Sequence, residues 1–216
     1  GAIVGVSFLF ASFMTDHELI RTINDLRLTL PSVPSVGTAL HRGGQLFGVL
    51  ALVVVLASAL SMPGDLQRPG IQSFALLFVW TGWWAGYTMT VYLAGNTWPT
   101  LNPWRAIAKW LSTASERVLD RPAGTRDYPE RLGIWPSVAG LLAMVWLEVI
   151  SPVASDPQLL AYVVLAYTAV TVTGALVYGV DDWFGYVDPI SRVFKWYGRM
   201  APFQRTEEGV SLTLPN

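Results

Sequence analysis

Apolar residues along this chain come in long blocks separated by short polar stretches, not at the three-and-four spacing of a half-buried helix. Such blocks predict membrane-crossing helices. Five are expected: Gly1 to Met14, Gln45 to Met62, Ile71 to Leu93, Ile134 to Ile150 and Gln158 to Val180. The first would span roughly 21 Å, short of the ~30 Å hydrocarbon core, so residues upstream are expected to complete it. Thr15 and Glu18 then have capping-box spacing for a further helix, with Pro31 and Pro34 expected to end it. Pro63-Gly64, Pro69-Gly70, Ser151-Pro152 and Asp156-Pro157 mark tight turns between spans. The pattern predicts an all-α polytopic transmembrane protein, with about five spans and two interfacial amphipathic helices.

The interfacial helices follow from a repeated motif. Trp98, a short spacer, Asn102-Pro103 and then Lys109-Trp110 are matched by Trp183, a short spacer, Asp188-Pro189 and then Lys195-Trp196. Asn or Asp before Pro reads as an N-cap followed by the first helical position. In the first helix Trp104, Ile107, Ala108, Leu111 and Val118 share a face, opposite Arg105, Lys109, Ser112 and Glu116. In the second, Ile190, Val193, Phe194 and Tyr197 share a face, with Arg192 and Arg199 pointing away. Amphipathic helices at this place suit the membrane surface. The chain thus divides into residues 1–44 (a first span and a loop helix), 45–133 (hairpin plus interfacial helix) and 134–216 (a second such unit with a polar tail). Duplication would make this a parallel repeat about the membrane normal. Independent convergence on the motif is the alternative.

Composition agrees with the block pattern. Of 216 residues, 52% are hydrophobic and 13% charged, against about 25% charged in soluble domains. Mean hydropathy is +0.42. A net charge of −1 gives no basic field for nucleic acid, and the absence of cysteine excludes disulfides and thiolate chemistry. The basic residues are distributed unevenly. Arg68 alone falls in a predicted outer turn, and the other 13 of the 14 Lys and Arg fall in loops or tail on one side. The positive-inside rule places residues 15–44, 95–133 and 181–216 in the cytoplasm, in a multi-pass protein of the cell membrane. Six of the ten Trp lie near that boundary, as an aromatic belt requires.

Candidate chemistry is sparse. Glu148 is the one ionisable residue inside a predicted span, close to the outer Ser151-Pro152 turn. It reads as functional, or as a boundary residue reaching water. Asn96, Asp181 and Asp182 follow the third and fifth segments at corresponding places. They suit a cation or acid–base pair, or equally solvated caps. His17 and His41 are too few and too distant for zinc or haem, and no cofactor or metal site is expected. Trp80, Trp83 and Trp84 suit an aromatic cage for a cation, or simple packing. Gly82, Gly86 and Thr90 form a small-residue stripe for helix packing.

The opening Gly1-Ala2-Ile3-Val4-Gly5-Val6-Ser7-Phe8-Leu9, the Trp98-to-Trp110 stretch and Tyr128-Pro129-Glu130-Arg131-Leu132-Gly133-Ile134-Trp135-Pro136 carry a resemblance. Together they resemble a prokaryotic membrane family whose members are often labelled fenitrothion hydrolase. The resemblance implies that this chain is the N-terminal half of a protein about twice its length, and that the activity is organophosphate triester hydrolysis. Such hydrolysis usually uses a metal-bound hydroxide, and the resemblance carries over no catalytic residue. Three functions are therefore expected, in order. The first is a non-catalytic membrane subunit or scaffold, partnered by lipid and by other membrane subunits or a C-terminal half. The second is a permease or channel, and the third a membrane hydrolase.

Overall fold

The computed structural model describes residues 28–31, 34–61, 73–120, 124–206 and 209–212. The predicted first span, the Thr15 helix with His17, and the Pro63 to Gly70 turn lie outside these residues. The described chain is mostly helical. Helix α1 (Pro34–Leu60) is followed by α2 (Phe74–Leu76), which runs on through a π-helix (Leu77–Tyr87) into α3 (Thr88–Ala94). Short α4 (Trp98–Leu101) leads into α5 (Pro103–Leu119). The second half comprises α6 (Trp135–Val149), α7 (Pro157–Tyr178), α8 (Val180–Asp182), a π-turn (Trp183–Val187) and α9 (Pro189–Tyr197).

One expectation is reversed at Pro34, which begins α1 instead of ending a helix. Proline suits a first turn because its missing N–H would have no intrahelical partner there. Helix α1 therefore begins eleven residues before Gln45, carrying the polar stretch through His41 and Arg42. A small antiparallel sheet was not expected. It comprises β1 (Leu28–Pro31), β2 (Phe203–Thr206) and β3 (Gly209–Leu212) in the order β1-β3-β2, with Leu28 and Phe203 both opposite Leu212.

Among the described residues two helices are long and apolar enough to cross a membrane, Gly37–Leu60 and Pro157–Tyr178. Only 22% and 28% of their apolar windows are buried by the described residues. Leu46, Phe47, Leu50 and Val53 on α1 are exposed, as are Leu142, Trp146 and Val149 on the shorter α6.

Two apolar cores hold the helices together. At one end Val55 and Ala59 of α1 meet Ala75, Leu76, Val153, Leu160 and Ala161. At the other, Phe194 of α9 is fully buried among Val91, Trp98, Trp104, Ala108, Ala175, Phe184 and Ile190. Its ring lies 5.0 Å from Tyr87, 5.2 Å from Trp98 and 5.8 Å from Trp83, with edge-to-face angles to Tyr87 and Trp83. Aromatic pairs at such spacing each add about 0.5–1.5 kcal/mol beyond area burial. The π-helix serves this core, because its widened turn brings both Trp83 and Trp84 toward Phe194.

Candidate functional site

The two Trp-to-Lys-Trp motifs adopt closely similar backbones. Each is entered through a glycine at positive φ that ends the preceding helix, Gly95 (φ 95°, ψ 172°) and Gly179 (φ 93°, ψ 143°). Left-handed φ at a helix end is where glycine avoids a Cβ penalty. Each then makes a short helical turn and reaches a buried cap. The spacers differ by one residue, and hydrogen bonding absorbs the difference. Asn102 N–H donates to the Trp98 carbonyl four residues back, whereas Asp188 N–H donates to the Trp183 carbonyl five residues back. The extra residue thus becomes the π-turn.

The caps close in the same way. Asn102 Oδ1 accepts from Arg105 N at 3.0 Å, and Asp188 Oδ2 accepts from Ser191 N at 2.8 Å, each at the third helical residue. The two caps also meet each other. Asn102 Nδ2 donates to Ser191 Oγ at 3.3 Å. Tyr167, near the middle of α7, donates its hydroxyl to Asp188 Oδ1. Trp104 Nε1 donates to Thr168 Oγ1 at 2.8 Å one residue along. Burial pushes the Asp188 carboxyl above its ordinary value, opposed by the hydrogen bonds from Ser191 and Tyr167.

Glycines let the caps approach the spans. An added Cβ at Gly48 of α1 would overlap the Leu101 carbonyl oxygen, and one at Gly140 of α6 would sit 3.1 Å from Pro189 Cγ. The amphipathic helices pack across the two halves as well as within them: α5 on both α1 and α7, and α9 on both α6 and α3. Gly124, beyond α5, lies against Gly179, while Gly198, beyond α9, lies against Asn96. Gly124 N and Arg126 N donate to the Leu176 and Val177 carbonyls, satisfying acceptors that the end of α7 leaves open.

Above the caps is a cavity of about 770 Å³. Its walls come from α1, the π-helix, α6 and α7, and its floor from Leu101, Pro103, Trp104, Val187, Asp188 and Pro189. The lining is almost wholly apolar, with two carboxylates, Glu148 and Asp188. The volume falls within the range of small-molecule sites, and a few polar groups in an apolar cavity are what such sites use. Three indole N–H groups of its lining residues, on Trp80, Trp98 and Trp183, are buried without a hydrogen-bond partner.

The sequence-predicted residues are dispersed. Glu148 is half-buried, one residue before the end of α6, and lines the cavity. Asp181 is exposed and forms an ion pair with Arg105, so Arg105 does not simply face solvent. Asn96 Oδ1 accepts from Trp98 N at 3.1 Å and serves as a local turn cap. Asn96, Asp181 and Asp182 do not converge, and no group of three metal-ligating side chains occurs among the described residues. His41 Nδ1 lies 3.3 Å from Thr100 Oγ1. Gly82 lines the cavity, while Gly82 and Gly86 meet no neighbouring helix, and Thr90 bonds back to the Tyr87 carbonyl. Trp83 and Trp84 pack on Phe194, leaving Trp80 toward the other core. Arg192 folds back to donate to the Gly185 carbonyl instead of pointing away. Trp110 and Trp196 are exposed, the latter under the Arg199 guanidinium at 4.2 Å. The sequence reading missed Tyr167, Gly48, Gly140 and the paired Gly95 and Gly179. Gly95 and Gly179 left a signal, each standing a few residues before its motif.

Comparison with family models, with curated proteins and with solved structures finds no match to this chain.

Proposed function

We propose that this chain is a multi-pass membrane protein of permease type, built from two hairpin-plus-shelf units around a small-molecule site. The observation that carries the reading is the cavity itself, which lies between the units and takes walls from both. The sequence alone favours a scaffold, since it shows one isolated carboxylate in a span. In the fold Glu148 and Asp188 border one cavity, which supplies the ionisable groups a transport site uses. Matching glycines and caps support a duplication with parallel orientation. Exposed apolar rows on α1, α6 and α7 support lipid contact, and exposed Leu111 and Val118 on α5 support a shelf at the membrane surface. In this reading residues 34–44 and both shelves lie at the cytoplasmic face.

Proteoliposomes carrying the full-length protein test this with three small fluorescent solutes, one cationic, one anionic and one neutral. At least one should show protein-dependent flux, lost when Ala51→Trp fills the cavity wall. Absence of flux for all three would overturn the reading.

A second reading, a subunit of a larger assembly, is favoured by the Gly82 and Gly86 stripe, which no other described helix covers. Gly82→Leu should then break a defined complex from native membranes while leaving the isolated chain folded. An unchanged complex would remove this reading. The hydrolase reading from the family resemblance predicts triester hydrolysis lost in Asp181→Ala combined with Asp182→Ala.

A further inference from the structure

The cavity combines three properties that together select a class of occupant. Its lining holds two carboxylates and no Lys, Arg or His. The basic residues beside its floor are turned elsewhere, Arg105 to Asp181 and Arg192 to the Gly185 carbonyl. Glu148 forms no hydrogen bond or ion pair with another described residue. Asp188 is held by a phenol, a hydroxyl-bearing residue's backbone and no cation. Among the described residues, no cation in the lining balances Glu148.

Ten of the lining residues are aromatic. They include Trp80 near Glu148's end, and Trp98, Trp104 and Tyr167 near Asp188's end. Aromatic faces attract cations through their quadrupoles, and more strongly when the cation has shed water. Glu148 lies eight residues along α6 from Gly140, which touches Pro189 beside Asp188. That separates the two acidic ends by roughly 12 Å along the helix. A large, weakly hydrated organic cation fits this arrangement. A small metal ion does not, because the carboxylates are too far apart to share it and the walls between them are apolar.

We propose that the central cavity binds a lipophilic organic cation, with Glu148 as its counter-ion at one end and the aromatic walls around its body. The proposal rests on the small-molecule reading of the same cavity.

Tetraphenylphosphonium and tetraphenylborate test it, being alike in shape and opposite in charge. Each is titrated onto the full-length protein in zwitterionic lipid nanodiscs, read by tryptophan quenching and corrected with empty nanodiscs. The phosphonium ion should bind saturably and the borate about tenfold or more weakly. Glu148→Gln should weaken phosphonium binding about tenfold and leave borate unchanged, with the far-ultraviolet spectrum reporting that the fold persists. Equal binding of both ions would overturn the cation assignment and leave a small-molecule site. Binding of neither would overturn both. Phosphonium affinity unchanged in Glu148→Gln would also overturn the assignment.

Discussion

Asn102 and Asp188 each cap the start of a helix, and only the second can ionise. Both are almost fully buried, so the difference has a pH consequence. Burial raises the Asp188 carboxyl in the folded protein. The folded state then holds its proton more tightly than the unfolded chain. Stability from this group falls as pH rises above about 3.9 and levels off once the folded carboxyl has ionised. Asp188→Asn keeps an acceptor for Ser191 N, as Asn102 does for Arg105 N. The thermal midpoint of Asp188→Asn should therefore rise relative to the native chain between pH 4 and pH 7. Parallel midpoint-against-pH curves for the two proteins would count against a raised carboxyl. The caps themselves were legible, because Asx-Pro carries its own geometry. Tyr167 was not, because nothing local marks an aromatic residue within an apolar block as the partner of a residue 21 positions away.

Helices were legible where their cause is local. Trp135–Val149 and Pro157–Tyr178 fall within one or two residues of the apolar blocks, since a proline near each start and a turn at each end fix the bounds. Pro34 misled because the same residue that stops one helix can open another. The π-helix left no local signature, since its widened turn is set by aromatic packing on Phe194, which arrives from more than a hundred residues away. Close crossings were hidden for a similar reason. Gly43 and Gly48 look alike in sequence, yet a Cβ at Gly43 meets nothing within 4 Å, while one at Gly48 meets the Leu101 backbone. Gly43→Ala should gain about 0.8–1 kcal/mol of helix propensity. Gly48→Ala should lose about 1–3 kcal/mol by overpacking against backbone that cannot rotate away. Thermal denaturation in detergent checks the pair, and equal shifts in the two variants would contradict the crossing of α1 over α4.

At the scale of the molecule, the charge asymmetry and the fold describe the same polarity. His41 approaches Thr100, Gly198 packs on Asn96, and Gly124 packs on Gly179. These contacts gather both amphipathic helices and their described flanking segments at one end of the bundle. The opposite end carries Ser61, Ser155 and the core around Val55 and Leu160. In the proposed membrane reading, the positive-inside rule places that basic end at the cytoplasmic face. The arrangement fixes an accessibility pattern. Ser61→Cys and Ser155→Cys should react with an impermeant maleimide added outside intact cells. Ser115→Cys, on the amphipathic helix α5, should react only after permeabilisation. There is no native cysteine to confuse the signal. The reverse pattern would invert the orientation but keep the two-ended bundle. Labelling of all three from outside would instead mean that the apolar faces of α1 and α7 are covered by something other than a bilayer, and the permease reading would fall with it.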